Sequence, residues 1–128
     1  MALTAKDLIK NKEIIKDRKN DKIEIEVDGY DKPFLFSIPD VDVYDDAQAY
    51  AKTRGDRAGD KYIIVECCVE PNLRDPELLA AYEVKEATDL IDELFRFGDV
   101  ASITQTLLKF SGFKDEKEVN ASIKKAKN

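Results

Sequence analysis

Histidine is absent from the 128 residues of this chain. That absence removes the commonest general base and metal ligand, together with the side chain whose unperturbed charge changes near neutral pH. Cysteine occurs only twice, as the adjacent pair Cys67 and Cys68. This is not the Cys-x-x-Cys spacing of redox pairs and zinc sites, and no further Cys or His stands elsewhere to complete a metal-ligand set. No apolar stretch approaches the roughly 20 residues that span a bilayer. The opening "MALTAKDLIKNKEIIKD" is charged throughout rather than built like a signal peptide, so a soluble, cytosolic chain is expected. A Gly-rich phosphate loop, a Ser-centred elbow and a nucleophile–base pair are also missing.

What is there is apolar enough to fold and unusually charged. Hydrophobic residues make up 43% and charged residues 38%, which separates the chain from disordered segments and points to one mainly helical domain over residues 1–128. The net charge of -6 is unevenly placed: seven cations face four acids in residues 1–22, nine face twenty in 23–113, and five face three in 114–128. An acidic body repels a phosphate backbone, so neither DNA nor RNA is expected as a partner.

Along the chain, Thr4 with Asp7 three residues on forms a capping-box pattern that starts a basic helix ending near Lys19, with Leu8, Ile9, Ile14 and Ile15 as a sparse apolar stripe. Ile23, Ile25 and Val27 then alternate with acids, and Phe34, Phe36 and Ile38 alternate again after Pro33. The two halves predict an antiparallel hairpin over 23–38 with a loop of about five residues. From residue 41 to 113 the period is helical, giving a compact bundle of about five helices. Val43, Ala47, Tyr50 and Ala51 share one face of the first. "GDRAGD" reads as a short loop, and "YIIVECCV" as a central helix buried all round, capped by Asp60 and stopped by Pro71. Asp75 followed by Pro76 is a strong helix start, with Leu78, Leu79 and Tyr82 on the buried side. Thr88 is read as the cap of a helix burying Leu90, Ile91, Leu94 and Phe95. Asp99 caps the next, where Val100, Ile103, Leu107 and Phe110 recur at spacings of three and four before Gly112. Residues 114–128 are expected to form a weak, frayed amphipathic helix with only Val119 and Ile123 to bury. The fold class expected is α+β, mainly α.

Three clusters could carry chemistry, and each has a plainer reading that outweighs it. Reactive thiols need an electropositive setting, whereas Glu66 and Glu70 flank the cysteines, which read as small core side chains. "DVDVYDD" lacks the alternate ligands, central Gly and closing Glu of a calcium loop and reads as acids at a helix start. Asp89, Asp92 and Glu93 fall on the exposed face of a helix rather than forming a carboxylate pair. No catalytic residue, metal or cofactor is expected. The aromatics stay open between two readings. Phe95, Phe97, Phe110 and Phe113 cluster along the sequence and either fill the core or line an exposed groove for an apolar helix of a partner.

The order of pieces then becomes informative. A helix with "KDLIKNKE", a hairpin, and the run from Tyr62 to Phe113 containing "ECCVEPNLRDPEL", "ATDLIDELF" and "GDVASITQTLLKFSGF" resemble the XkdN-like tail assembly chaperones of Gram-positive phages and prophages. Residues 41–54 depart from the family pattern, with extra acids and "AYAKTRG" in place of a more apolar helix. The resemblance implies a non-enzymatic factor that coats the long helical tape measure protein and helps recruit tail tube subunits. It also implies action in the host bacterial cytoplasm and absence from the mature virion. The alternative that composition alone supports equally is an acidic helical adaptor or inhibitor of another phage or host protein.

Overall fold

The computed structural model describes residues 1–114, and the helix expected further on lies outside them. Seven helices and three strands follow one another among these residues. They are α1 (Ala5–Lys10), α2 (Lys12–Asp17), β1 (Lys22–Ile25), β2 (Phe34–Ser37), α3 (Val41–Arg54), α4 (Asp56–Cys67), β3 (Cys68–Glu70), α5 (Pro76–Ala81), α6 (Ala87–Leu94) and α7 (Phe97–Phe110). The fold is α+β and mainly α, with five helices after the hairpin as the periodicity indicated.

The N-terminal region departs from a single helix. Thr4 and Asp7 form the expected capping box, with Thr4 N–H donating to Asp7 Oδ2 at 3.0 Å and Asp7 N–H to Thr4 Oγ1 at 3.3 Å. At Asn11, however, the side-chain Nδ2 donates to the Asp7 carbonyl at 2.9 Å, and the helix breaks into α1 and α2 before a 3₁₀ turn at Arg18–Asn20. A side chain that competes for backbone acceptors is the usual reason for such an interruption. Neither α1 nor α2 buries a residue, and Leu8, Ile9 and Ile14 are more than half exposed.

The hairpin is present, antiparallel, with Ile25 opposite Phe34. Its loop runs over residues 26–33 rather than the shorter turn expected. Val27 leaves the strand to enter the core, and Tyr30 reaches back so that its hydroxyl donates to the Leu94 carbonyl.

The largest correction concerns "YIIVECCV". Helix α4 begins at Asp56, not Asp60, so "GDRAGD" is no loop: only Gly55, at φ +98°, turns the chain between α3 and α4. The helix ends at Cys67, and Cys68–Glu70 becomes a third strand, paired antiparallel to β2 with Phe36 opposite Cys68. The outer edge of β2 needs backbone partners, and the extended segment supplies them. Nor is α4 buried all round. Ile63, Ile64, Val65 and Cys67 face inward, while Lys61 pairs with Asp92 at 2.8 Å and Glu66 with Arg74 at the surface.

The core lies where α4, α6 and α7 pack with β2. Phe36, Ile64, Leu73, Leu90, Ile91 and Leu107 are fully buried there, each contributing roughly 1.5–3 kcal/mol of apolar burial. Val43, Ala47, Tyr50 and Ala51 face the core side of α3 as read. Two helix starts and one buried position differ. Glu86 rather than Thr88 precedes α6, and Arg96 rather than Asp99 precedes α7, so Asp99 sits in the first turn. Tyr82, expected inside, caps α5 at the surface because the chain turns away there.

Candidate interaction surface

Helix α7 has a core face of Val100, Ile103, Thr104 and Leu107, and its two ends carry the aromatic residues singled out in the sequence. Phe95, just before it, is core: its ring centroid lies 5.1 Å from that of Phe34, and the residue is 6% exposed. Phe97, two residues later, is 70% exposed, with the Arg57 guanidinium 4.7 Å above its ring. Between them Arg96 turns the chain. Asp99 accepts from the Arg96 backbone N–H at 3.0 Å and from its guanidinium at 2.9 Å, and a second acid, Asp28, lies 3.3 Å away. The Arg96 hydrogen bonds hold the Asp99 carboxyl below the usual carboxylate range.

Phe110 and Phe113 stand at the other end of α7, about 20 Å from Phe97 at 1.5 Å per helical residue. The four aromatics singled out in the sequence therefore divide three ways: one inside, one alone at the helix start, and two together at its finish. Gly112, at φ +99°, closes the helix with Phe113 N–H donating to the Leu108 carbonyl and Gly112 N–H to that of Lys109, both at 3.0 Å. This double closure is the Schellman motif, and it throws the residue after the glycine back over the helix end. Phe113 accordingly stacks on Tyr44 of α3 at 5.4 Å between centroids. The Ser111 hydroxyl donates to the Pro39 carbonyl at 2.7 Å, tying the same helix end to the loop before α3.

Those ties frame an open groove of about 700 Å³. Its floor is apolar, built from Ile38, Val41, Tyr44, Leu108, Phe110 and Phe113, while Arg18 and Lys19 from the 3₁₀ turn stand at its lip beside Asp21 and Asp40. The Asp40 side chain accepts from Val43 N–H at 3.0 Å and so serves as the cap of α3. The acids of "DVDVYDD" thus begin a helix. Val41 and Tyr44 escaped the sequence reading. Their signal was an apolar pair three residues apart, offset from the Val43, Ala47 and Tyr50 face that packs inward.

The remaining clusters offer little chemistry. Among the described residues no group of three or more Cys, Asp or Glu side chains is placed to hold a metal. Burial pushes the Cys67 thiol up to about 11 and that of Cys68 to about 12, the latter aided by Glu70, and Cys68 Sγ donates to the Pro71 carbonyl at 3.2 Å. Both are free thiols held in their weakly nucleophilic form. Asp89, Asp92 and Glu93 lie exposed on α6, as their spacing indicated. No helix among the described residues is long and apolar enough to cross a membrane.

Residues 48–127 match the family model of phage XkdN-like tail assembly chaperone proteins. The chain belongs to this family. No curated protein and no solved structure matches it. The matched part takes in the second half of α3 and everything from α4 to α7, including the α7 end of the groove. The arm of α1 and α2, the hairpin, and Val41 and Tyr44 precede it.

Proposed function

We propose that this member of the tail assembly chaperone family acts without catalysis, binding the tape measure protein and aiding assembly of the tail tube around it in the host cytoplasm. The observation that carries this reading is unburied apolar surface on a highly charged chain: the stripe of the N-terminal arm, and Val41, Phe110 and Phe113 at the groove. Exposed apolar side chains gathered in one patch mark interaction sites on proteins that otherwise remain soluble. A long helical partner that aggregates alone needs such a surface to cover it. Of the four phenylalanines, Phe110 and Phe113 are the ones placed to contact that partner, Phe97 offers a separate exposed ring, and Phe95 supports the fold beneath.

The test is co-expression with the tape measure protein of the same phage, followed by size-exclusion chromatography with light scattering. A soluble complex holding several copies of this chain per tape measure protein is expected. An aggregated tape measure protein with this chain eluting alone would refute the proposal. It would favour instead an acidic adaptor of another protein, the reading that the acidic body of residues 23–113 supports by itself.

A further inference from the structure

We infer that β1 is the contact through which two copies of this chain associate, edge to edge and antiparallel, with Ile23 of one copy opposite Ile23 of the other. The inference goes beyond the proposed chaperone role and does not depend on the tape measure protein. β1 is an outer strand of the sheet, whose order is β1-β2-β3. Alternate residues of Lys22–Ile25 therefore turn an N–H and a C=O away from β2, and among the described residues no backbone bond from outside the sheet reaches them. Such a row of open backbone groups is a template for a further strand. Charge selects that strand. A net charge of -6 makes two copies repel over most of their surface, so a contact between them needs a place where opposite charges meet. Residues 16–22, which lead into β1, carry Lys16, Arg18, Lys19 and Lys22 against Asp17 and Asp21; residues 23–31 carry Glu24, Glu26, Asp28 and Asp31 and no cation. Antiparallel pairing lays the cationic start of each strand along the acidic finish of the other, twice by symmetry, whereas parallel pairing would set like charges together.

Within the strand the match is residue by residue. Side chains alternate between faces, so with Ile23 on the two-fold axis Lys22 stands opposite Glu24 of the second copy, and Glu24 opposite its Lys22. Both residues are exposed and take part in no ion pair among the described residues. Of the acids just after them, Asp28 is already engaged, with Arg96 at 3.3 Å. On the opposite face Ile23 meets Ile23. Ile23 and Ile25 pack on the core yet are only half-buried, so a neighbouring strand covers apolar surface that this edge leaves open. A register centred on Glu24 would instead oppose two glutamates. Ile25 falls opposite Asp21, where the strand gives way to the 3₁₀ turn, so the ladder is short. The other outer strand offers no such match: β3 carries one acid and no cation, and runs into Pro71, which has no N–H to give.

The experiment is sedimentation equilibrium of the full chain over a concentration series reaching about 1 mM. A reversible dimer in the micromolar to millimolar range is expected, as suits so short a contact. Lys22→Glu and Glu24→Lys each set like charges opposite one another in both symmetric pairs, and each should weaken the dimer about 10-fold. Both substitutions in one chain exchange the two charges and should restore it. Mixing the two single variants should give a heterodimer as tight as the unaltered homodimer, because every cross pair is again a cation against an acid. Urea melts read the fold of each variant separately. A monomer throughout the series would overturn the inference and leave the edge to a strand of another protein. A dimer that survives both single reversals, or a loss that neither the double exchange nor the mixing repairs, would overturn the β1 contact.

Discussion

Replacing Gly59 by alanine tests the helical hairpin on which the rest of the fold is built. Gly59 is buried on α4 where it crosses α3, and a Cβ added there would lie 3.1 Å from the Ala47 carbonyl oxygen and 3.2 Å from Ala51 Cβ. Ordinary non-bonded contact between heavy atoms is about 3.5–4.0 Å, so the helices would have to part by several tenths of an ångström. One of the two obstacles is backbone and cannot rotate away. Overpacking of this kind costs about 1–3 kcal/mol. Against it stands the helix propensity that alanine gains over glycine, up to about 1 kcal/mol. The net expectation is a loss of roughly 0.5–2 kcal/mol, lowering the melting temperature by a few degrees at about 3–6 °C per kcal/mol for a domain of this size.

Gly98 supplies the internal control, because it is also helical and nothing lies within 4 Å of its added Cβ. Gly98→Ala should therefore show only the propensity gain, raising stability by up to about 1 kcal/mol. Urea denaturation of both variants, with unchanged m values, isolates the packing cost as their difference. Ala51→Gly in the Gly59→Ala background removes one of the two obstacles and should give a coupling energy of at least ~0.5 kcal/mol. Gly59→Ala as stable as Gly98→Ala, or strict additivity with Ala51→Gly, would refute the close approach of α3 and α4.

Two further substitutions and one chemical probe address other features. Glu83 holds φ +58° at the end of α5, where Glu83 and Val84 N–H groups close the helix on the Ala80 and Leu79 carbonyls; Glu83→Gly should stabilise by roughly 0.5–1 kcal/mol, and a loss in thermal melts would contradict that backbone strain. Burial first, then the charge of Asp56, raises the pKa of the Asp60 carboxyl. The folded state thus holds this proton more tightly, and the resulting stability is present in acid and lost as pH rises through the folded pKa. Asp60→Asn should raise the melting temperature at neutral pH and lose its advantage below about pH 4; a gap that does not change with pH would show the charge to be immaterial. Iodoacetamide should label Cys67 and Cys68 slowly at neutral pH in the native protein and rapidly in urea, and fast native labelling would contradict the raised thiol pKa values.

The features legible in the sequence were those decided within a few residues of themselves. Asp75 accepts from Glu77 N–H at 2.9 Å ahead of Pro76, and Thr4 pairs with Asp7, because a cap is a local contest between side chain and backbone. Gly112 likewise announced the end of α7. The conversion of Cys68–Glu70 to a strand was not legible, because it depends on the unpaired edge of β2, more than thirty residues earlier in the chain. "IIVECCV" reads equally well as a buried helix or a buried strand, and the fold divides it between them. The break at Asn11 was written in one side chain, yet the apolar stripe on either side of it suggested continuity.

The aromatics show why the candidate interaction surface was harder to see than the core. At 100° per residue, Phe97 and Phe110 lie roughly 60° and 80° to either side of Val100, near enough to the Val100, Ile103 and Leu107 stripe that periodicity assigns them inward. Helical phase, however, says only which way a side chain points and nothing about whether another element reaches far enough to cover it. Along α7, Val100, Ile103 and Leu107 are buried, whereas Phe97 and Phe110 at its two ends are left exposed. Phe95 is buried although it precedes the helix, because the extended Phe95–Arg96 turn aims it at Phe34. Exposure at Phe97 and Phe110 is thus a matter of where the neighbours end. At the Phe110 end, the Schellman turn and Tyr44 convert that leftover length of apolar stripe into a shaped groove, whereas at the Phe97 end only the Arg57 guanidinium covers the ring. An uncovered apolar residue therefore lines a groove at one end of α7 and stands as a lone exposed ring, 70% accessible, at the other.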